Sequence, residues 1–346
     1  MSNIHVGKIP PARLQSILKN RIGSPSADVL VGPGAGLDCA IVEVAPGRIM
    51  AVAEDPIFPA PKLPLSLMGE FTVHIGASDV AVSGVKPSHM TYTLLLPPDC
   101  PEKDAETVIA SISKTAEDLG IAIVGGHTGW YGAVNLPIVG GVTVWGFADA
   151  DRWISPGGAK HGDILIMSKG PAIEAAALLA VVWEEELKDK INPEHLRQLI
   201  DRCAEISVVE DSLSAFDAVG PQGVHAMHDA TEGGVLGGIW EISDACKIPV
   251  QVDLDQIPVP EDIQTLGAAL DFDIWRGISE GTLLAAVSPD AVNEIFKVWK
   301  RKGIPGFVLG SFDKTLPESK VVLGGKTIKL EEPGEDPFWA KFFAAL

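Results

Sequence analysis

The sequence predicts two α+β domains. Its 346 residues are roughly twice the length of a typical domain. Helical and strand patterns alternate in both halves, without a regular βαβ period or an internal repeat. A polar, glycine-rich connector at residues 155–162 (SPGGAKHG) separates the two halves. We therefore divide the chain into a first domain of residues 1–154, a second domain of residues 155–315 and a C-terminal extension of residues 316–346.

The first domain begins with a predicted helix, because Pro10 and Pro11 precede apolar residues at helical spacing up to Ile22. Residues 66–82 predict a second helix, whose small residues at its centre indicate close packing against another backbone. Residues 102–119 predict a third helix with one apolar face. Short apolar runs between glycine and proline turns predict the strands, at residues 29–31, 40–44, 49–53, 91–96, 121–124 and 136–147.

The second domain alternates strands and helices in the same way. Its predicted strands are residues 163–168, 224–227, 250–254, 282–287 and 307–310, and a further strand is predicted at residues 321–323 of the extension. Its predicted helices are residues 172–183, 194–205, 208–219, 235–245, 262–269 and 291–302. In the extension, Phe338, Trp339, Phe342 and Phe343 share one helix face. That face favours packing on the second domain or on a partner over a catalytic role.

Charge and composition narrow the function. The chain carries 46 acidic and 27 basic residues, a net charge of −19, which disfavours binding to nucleic acid or anionic lipid. The N-terminus lacks the apolar stretch of a secretory signal, and the longest apolar helical run is too short to cross a bilayer. The four cysteines fit no zinc spacing and are expected to be reduced thiols. We expect a cytoplasmic protein with a small-molecule substrate, without a nucleic-acid or membrane partner.

Three segments of the first domain place acids where they could hold a metal. Gly34 and Gly36 belong to a turn that ends in Asp38, and their N–H groups could approach an anion while the carboxylate holds a divalent ion. Asp55 follows an apolar run. Asp79 lies in an apolar stretch, where a buried charge needs a partner. In the alternative interpretations, the glycine turn before Asp38 is only a hairpin loop, Asp55 is a solvated acid, and Asp79 is a helix cap or a member of a buried ion pair.

A fourth segment of the first domain contains Gly125, Gly126, His127 and Thr128, which form a predicted turn after a buried strand. His127 could be a base, a metal ligand or a phosphate donor, whereas the alternative is a hydrogen-bonded loop histidine.

Two segments of the second domain could contact an anion. Gly233 and Gly234 lead from a predicted strand into a helix, whose N-terminus offers free N–H groups and the positive end of the helix dipole. In the alternative, Asp229 or Thr231 only caps that helix. Lys169 precedes another helix and either contacts phosphate or is solvated.

Taken together and in order, these segments resemble the AIR synthase-related (PurM-like) superfamily, although P-loop, G-x-S-x-G and H-E-x-x-H motifs are absent. GPGAGLDCAIV is similar to the family's G-x-D-A-A loop, and AEDPIF to its acidic strand end. GASDVAVSGVKP is similar to its acidic helix, and VGGHTG to its Gly-Gly turn. MHDATEGGVLGGIWE resembles the C-terminal glycine turn, especially that of HypE-like members.

The resemblance implies a PurM-like N-terminal α/β domain that dimerises through its sheet and a PurM-like C-terminal α+β domain that closes over ATP. It implies transfer of the ATP γ-phosphate to an oxygen or selenium nucleophile, often an amide oxygen. Asp38, Asp55 and Asp79 match the family's Mg²⁺-binding aspartates, and the expected catalytic residues are His127 and Asp79. The expected ATP-binding residues are Gly34, Gly36, Gly125, Gly126, Thr128, Lys169, Gly233 and Gly234.

Departures from the family pattern refine the expected activity. His127 stands where thiamine-monophosphate kinase has an aspartate. In addition, no cysteine precedes Cys39, and this absence argues against selenophosphate synthesis. The chain also lacks the C-terminal cysteine that HypE uses for self-cyanation. The leading hypothesis is a HypE-like homodimeric enzyme that activates an amide, carboxylate or related oxygen of a small molecule or protein group. The alternatives are a thiamine-monophosphate-kinase-like small-molecule kinase and a nucleotide-binding maturation or regulatory subunit.

Overall fold

The computed structural model describes residues 6–57, 62–135 and 138–345. A six-stranded sheet with the order β1-β2-β3-β6-β4-β5 forms the first half. Its strands are β1 (Val29–Val31), β2 (Ala40–Ala45), β3 (Arg48–Ile57), β4 (Pro87–Leu96), β5 (Ala122–Trp130) and β6 (Val139–Asp149). Three helices accompany it, α1 (Pro11–Leu18), α2 (Leu65–Ala81) and α3 (Glu102–Leu119). Residues 136 and 137, at the start of the last predicted strand, lie outside the described residues.

Helix α2 packs closely against both the sheet and α3, as its small residues predict. A Cβ atom on Gly76 would lie 2.8 Å from Cγ2 of Val144 in β6. A Cβ atom on Gly69 would lie 2.7 Å from the carbonyl oxygen of Val108 in α3. The absence of side chains at these two positions allows the helix to approach its neighbours.

The strand predicted at residues 121–124 exists, but the predictions that it is buried and that it ends in a glycine turn are wrong. One continuous strand, β5, pairs in parallel with β4 and lies at the sheet edge, where nearly all of its residues are exposed. The register shifts between Met90 and Thr91, and a Cβ atom on Gly126 would lie only 2.2 Å from the carbonyl oxygen of Tyr92. The glycines therefore accommodate a bulge within the strand rather than end it.

The second half contains a seven-stranded sheet with the order β13-β12-β9-β11-β7-β10-β8. Its strands are β7 (Ile164–Ser168), β8 (Val224–Asp229), β9 (Val250–Asp253), β10 (Leu283–Val287), β11 (Gly306–Phe312), β12 (Lys320–Leu323) and β13 (Lys326–Lys329). Its helices are α4 (Ile173–Val182), α5 (Glu184–Leu187), α6 (Pro193–Asp201), α7 (Val209–Gly223), α8 (Gly234–Cys246), α9 (Glu261–Leu270), α10 (Val292–Lys302) and α11 (Pro337–Ala344). The change from one sheet to the other falls within residues 150–163, which include the predicted boundary.

The C-terminal extension is part of the second half rather than a separate unit. Strands β12 and β13 complete the sheet, and β13 escaped prediction because all four of its residues are exposed and lack an apolar pattern. Phe338 and Phe342 of α11 are buried against a core that includes α4 and also Phe71 of α2. The predicted packing on the second domain is therefore confirmed for Phe338 and Phe342, whereas Phe343 is 49% exposed. No helix in the described part of the chain is long and apolar enough to span a membrane.

Candidate active site

An acidic cleft of about 360 Å³ lies between the two halves of the molecule. Asp38 reaches it from the loop between β1 and β2, Asp55 from β3 and Asp79 from α2. Residues distant in sequence thus converge on one cleft wall. Three further carboxylates line the cleft, those of Glu54, Glu232 and Glu241.

Asp55 and Asp79 form a carboxyl pair. Burial raises the pKa of Asp79 well above its ordinary value, and the neighbouring Asp55 raises it further. Burial also raises the pKa of Asp55, whereas its hydrogen bond with Asp79 and the charge of Lys8 oppose that rise. The Oδ2 atom of Asp55 is buried without a hydrogen-bond partner among the described residues. The pair therefore holds a proton readily and would be stabilised by a cation.

Asp38 is held by a buried histidine. The Nδ1 atom of His228 lies 2.7 Å from an oxygen of Asp38, and its Nε2 atom lies 2.8 Å from Glu241 in α8. Burial lowers the pKa of His228, but the two carboxylates outweigh burial and bring it to about 10. His228 is therefore a protonated clamp that orients Asp38 towards the cleft.

The N-terminal segment brings a cation to the cleft. The backbone N–H of Lys8 donates to Glu232 at 2.8 Å, and its ammonium donates to the Thr231 hydroxyl at 2.5 Å. Burial opposes the charge of Lys8, but Glu241, Asp79 and further carboxylates raise its pKa above the ordinary value. Lys8 is thus a fixed positive charge in an otherwise acidic cleft.

The first glycine turn is open to an anion. Gly34, Ala35 and Gly36 line the cleft, and no acceptor for their backbone N–H groups occurs within the described ranges. Gly36 has a φ of +70°, and a Cβ atom there would lie 2.9 Å from the Cβ atom of Glu241. Glycine is therefore required for this turn to lie against α8.

The expected anion site at the second glycine turn is wrong, because its N–H groups already have partners. Gly233 donates to Asp336 at 2.7 Å, and Gly234 donates to the carbonyl oxygen of Thr231 at 3.0 Å. Both residues have a positive φ, and a Cβ atom on Gly234 would lie 2.5 Å from the carbonyl oxygen of Gly277. These glycines thus satisfy backbone geometry rather than hold phosphate.

Lys169 fits neither sequence interpretation, because it is neither solvated nor directed into the cleft. Its ammonium donates to the carbonyl oxygens of Glu205, Ser207 and Gly281. It also lies 3.2 Å from Asp211, and only 12% of its side chain is exposed. Lys169 therefore joins segments of the second half of the molecule.

His127 lies away from the cleft of the described chain. It is exposed on the edge strand β5, where its Nε2 atom hydrogen-bonds the Tyr131 hydroxyl. Gly125, Gly126 and Thr128 lie on the same strand and do not line the cleft either. A role for these four residues in nucleotide binding stays a prediction.

A second group of buried acids was not predicted from the sequence as a candidate functional site. Glu280 lies before β10, Asp229 ends β8, and Glu174 lies in the first turn of α4; all three have carboxylate oxygens without a partner among the described residues. Burial raises the pKa of Asp229 to about 7 and that of Glu174 to about 8, and it raises the pKa of Glu280 well above its ordinary value. The available signal was an acid within an apolar run, as at Glu174.

Comparison with known proteins relates both halves of the chain to one family. The family model of the AIR synthase related protein N-terminal domain matches residues 36–148, and that of the C-terminal domain matches residues 160–317. A hydrogenase expression/formation protein of Methanocaldococcus jannaschii is 24% identical over 297 residues, covering 82% of each chain. Carbamoyl dehydratase HypE of Escherichia coli is 26% identical over 246 residues, covering 70% of this chain and 67% of that protein.

Solved structures share the fold at lower identity. A chain of the HypE–HypF complex superposes with a TM-score of 0.74 at 18% identity, covering 93% of this chain and 100% of that chain. AaThiL complexed with AMPPCP and TMP superposes with a TM-score of 0.72 at 17% identity, covering 97% of this chain and 99% of that chain.

Proposed function

Because the chain belongs to the AIR synthase-related family and carries both of its PurM-like domains, we propose that it uses ATP and Mg²⁺ to phosphorylate an amide, carboxylate or related oxygen. The acceptor is a small molecule or a protein-borne carboxamide. The relatives include a carbamoyl dehydratase and a selenide, water dikinase, and one structural neighbour is HypE in complex with ATP. These comparisons support ATP use by this chain.

One observation carries the proposal. Asp38, Asp55 and Asp79 converge on a cleft that also presents Lys8 and a glycine turn with free N–H groups. Backbone N–H groups and a lysine are suited to phosphate oxygens, and carboxylates are suited to a hard divalent cation.

The residues of the cleft are suited to Mg²⁺ that is bound together with the phosphates of a nucleotide. The unpartnered oxygen of Asp55 and its raised pKa mark a carboxylate that lacks a counter-charge. No group of three or more metal-ligand side chains is already arranged to hold an ion within the described residues. Mg²⁺ usually retains waters and takes only one or two carboxylates besides the phosphates of its substrate. When bound, Mg²⁺ would offset phosphate charge, and its one or two protein ligands would come from Asp38, Asp55 and Asp79.

The proposed reaction depends mainly on positioning and charge. Lys8 and the N–H groups of Gly34 and Gly36 hold the phosphates, while the His228 clamp keeps Asp38 directed at the cleft. The acceptor oxygen attacks the γ-phosphorus, the bond from that phosphorus to the bridging oxygen breaks, and ADP leaves with the electron pair. Asp229, with a pKa of about 7, can take up or release a proton nearby.

The enzyme is proposed to act as a homodimer, as the family resemblance implies. Strand β5 supports this because it is an exposed sheet edge, on which Val124 is 54% exposed and Trp130 is 46% exposed. Exposed edge strands are normally covered or paired.

A thermal-shift comparison tests the proposal. ATP with Mg²⁺ should raise the melting temperature more than GTP with Mg²⁺ or ATP with EDTA, because selective binding stabilises the folded state. Equal melting temperatures with every nucleotide would contradict it. Product analysis then separates the hypotheses, since a small-molecule kinase leaves a stable phosphorylated product, whereas an activating enzyme releases phosphate.

A further inference from the structure

A second cavity, of about 70 Å³, lies between α2, α4 and α11. It is close to the acidic cleft, because Asp55 of β3 lines the cleft while the next residues, Pro56 and Ile57, line the cavity. Most of the other lining side chains are apolar, among them those of Phe71, Leu178 and Phe338. The cavity is therefore a small apolar compartment beside the proposed site of phosphoryl transfer.

Glu174 gives this compartment an unpartnered polar group. Glu174 is only 6% exposed and lines the cavity. Its Oε2 atom has no hydrogen-bond partner within the described part of the chain. The other polar side chains of the lining already have partners, because Thr72 donates its hydroxyl proton to the carbonyl oxygen of Met68 at 2.8 Å and Trp339 donates its indole N–H to Glu232 at 3.0 Å. A buried polar atom without a partner is unfavourable, so a ligand that pairs with Glu174 would be stabilised there.

Glu174 is also linked to the chemistry of the cleft. The backbone of Glu280 hydrogen-bonds to it, and Asp229 lies near enough to raise its pKa, although burial is the larger cause. The charge of Asp55 in turn contributes to the raised pKa of Glu280. The charges of the buried acids of the cleft and of the cavity therefore influence one another.

We propose that this cavity is the acceptor subsite and that Glu174 binds the carboxamide end of a small, uncharged aliphatic acceptor. This inference rests on the proposed function. A carboxylic acid presents one O–H donor and one carbonyl acceptor, which match the carbonyl oxygen and one N–H of a primary amide. The apolar walls exclude anionic acceptors, because a buried carboxylate opposite Glu174 would lack a counter-charge. A raised pKa of about 8 keeps Glu174 in the protonated form at neutral pH.

The volume limits the acceptor. At about 10–15 Å³ for each water-sized group, 70 Å³ accommodates about five non-hydrogen atoms. Propionamide has that size and serves as the probe, and propionate is its charged counterpart.

Saturation-transfer NMR on the full chain tests the subsite. Propionamide should receive saturation from the native protein, and propionate should not. Glu174→Leu removes the polar partner, and Leu178→Phe fills the cavity without changing charge; each should weaken propionamide binding at least ~10-fold. The matched control is Glu185→Leu, which replaces a glutamate whose side chain is 82% exposed and should leave propionamide binding unchanged.

The outcomes separate this inference from the proposed function. Thermal shifts with ATP and Mg²⁺ are measured on the same variants, and melting curves without ligand establish that each is folded. Absence of propionamide binding to native protein that binds ATP with Mg²⁺ would overturn the subsite alone. Equal binding of propionate, or undiminished binding in both cavity variants, would also overturn it. Propionamide binding that depends on Glu174 in protein that ignores ATP would support the subsite and contradict the proposed function.

Discussion

Replacing Asp79 by Asn should change stability and nucleotide binding in opposite directions. The amide keeps the size and hydrogen-bonding capacity of the side chain, but it removes one of two carboxyls that compete for a proton in the cleft. Because the folded-state pKa of Asp79 is raised, its carboxyl costs stability at any pH above its unfolded pKa of about 4. Asp79→Asn should therefore stabilise the ligand-free protein at pH 8, and the difference should disappear below about pH 3, where the carboxyl is protonated in both the folded and the unfolded state.

The expected size follows from linkage. Each unit of pKa elevation corresponds to about 1.4 kcal/mol, and one unit alone would raise the melting temperature by about 2 °C for a chain of this length. Loss of a metal-binding carboxylate should at the same time weaken binding of the ATP analogue AMPPCP with Mg²⁺ at least ~10-fold, which also corresponds to about 1.4 kcal/mol.

Scanning calorimetry without ligand and titration calorimetry with AMPPCP and Mg²⁺ measure the two effects. Asp118→Asn is the matched control, because Asp118 is an exposed residue of α3 that pairs with Lys114. This substitution should leave nucleotide binding unchanged. A destabilised Asp79→Asn variant that binds AMPPCP with native affinity would refute the assignment of Asp79 to the metal site.

Two further changes test other parts of the proposal. Lys8→Met should weaken AMPPCP binding by about 10- to 100-fold, because a charge-assisted hydrogen bond contributes about 1.5–3 kcal/mol. Titration calorimetry measures the affinity, and Lys19→Met, at an exposed lysine, is the control. Native affinity in Lys8→Met would exclude Lys8 as a phosphate ligand. Val124→Lys on β5 should convert the proposed dimer to a monomer, as measured by light scattering. The control is Val44→Lys, which should leave the dimer intact; Val44 is 47% exposed and lies on β2, near the other sheet edge. A dimeric Val124→Lys protein would exclude the β5 edge as the dimer interface.

The fold was predictable because it depends on patterns that the chain carries locally. Periodicity gives α3 its observed bounds, and the two-domain α+β architecture is confirmed. The convergence of Asp38, Asp55 and Asp79 is a tertiary property, and it was anticipated only because the ordered segments resemble a family. Neither spacing nor composition would have brought these three acids together.

The errors share a physical cause, which is that glycine and lysine have several uses that look alike in sequence. Glycines at residues 125 and 126 serve a strand bulge instead of a turn, and the N–H groups of Gly233 and Gly234 are taken by Asp336 and Thr231. Lys169 binds the carbonyl oxygens of Glu205 and Ser207 in one segment and that of Gly281 in another. Such partners become visible only once the chain has folded.

The charge of the cleft explains why metal and nucleotide would have to bind together. Six carboxylates line it, whereas its positive groups among the described residues are Lys8 and the His228 clamp, which is already shared by Asp38 and Glu241. ATP without a metal would add negative charge to an acidic surface, and its phosphates would find Lys8 as their main counter-charge. A divalent cation without phosphates would have to displace the proton that Asp55 and Asp79 share. Each ligand thus removes the electrostatic obstacle to the other, and the same acids that repel the free nucleotide favour its magnesium complex.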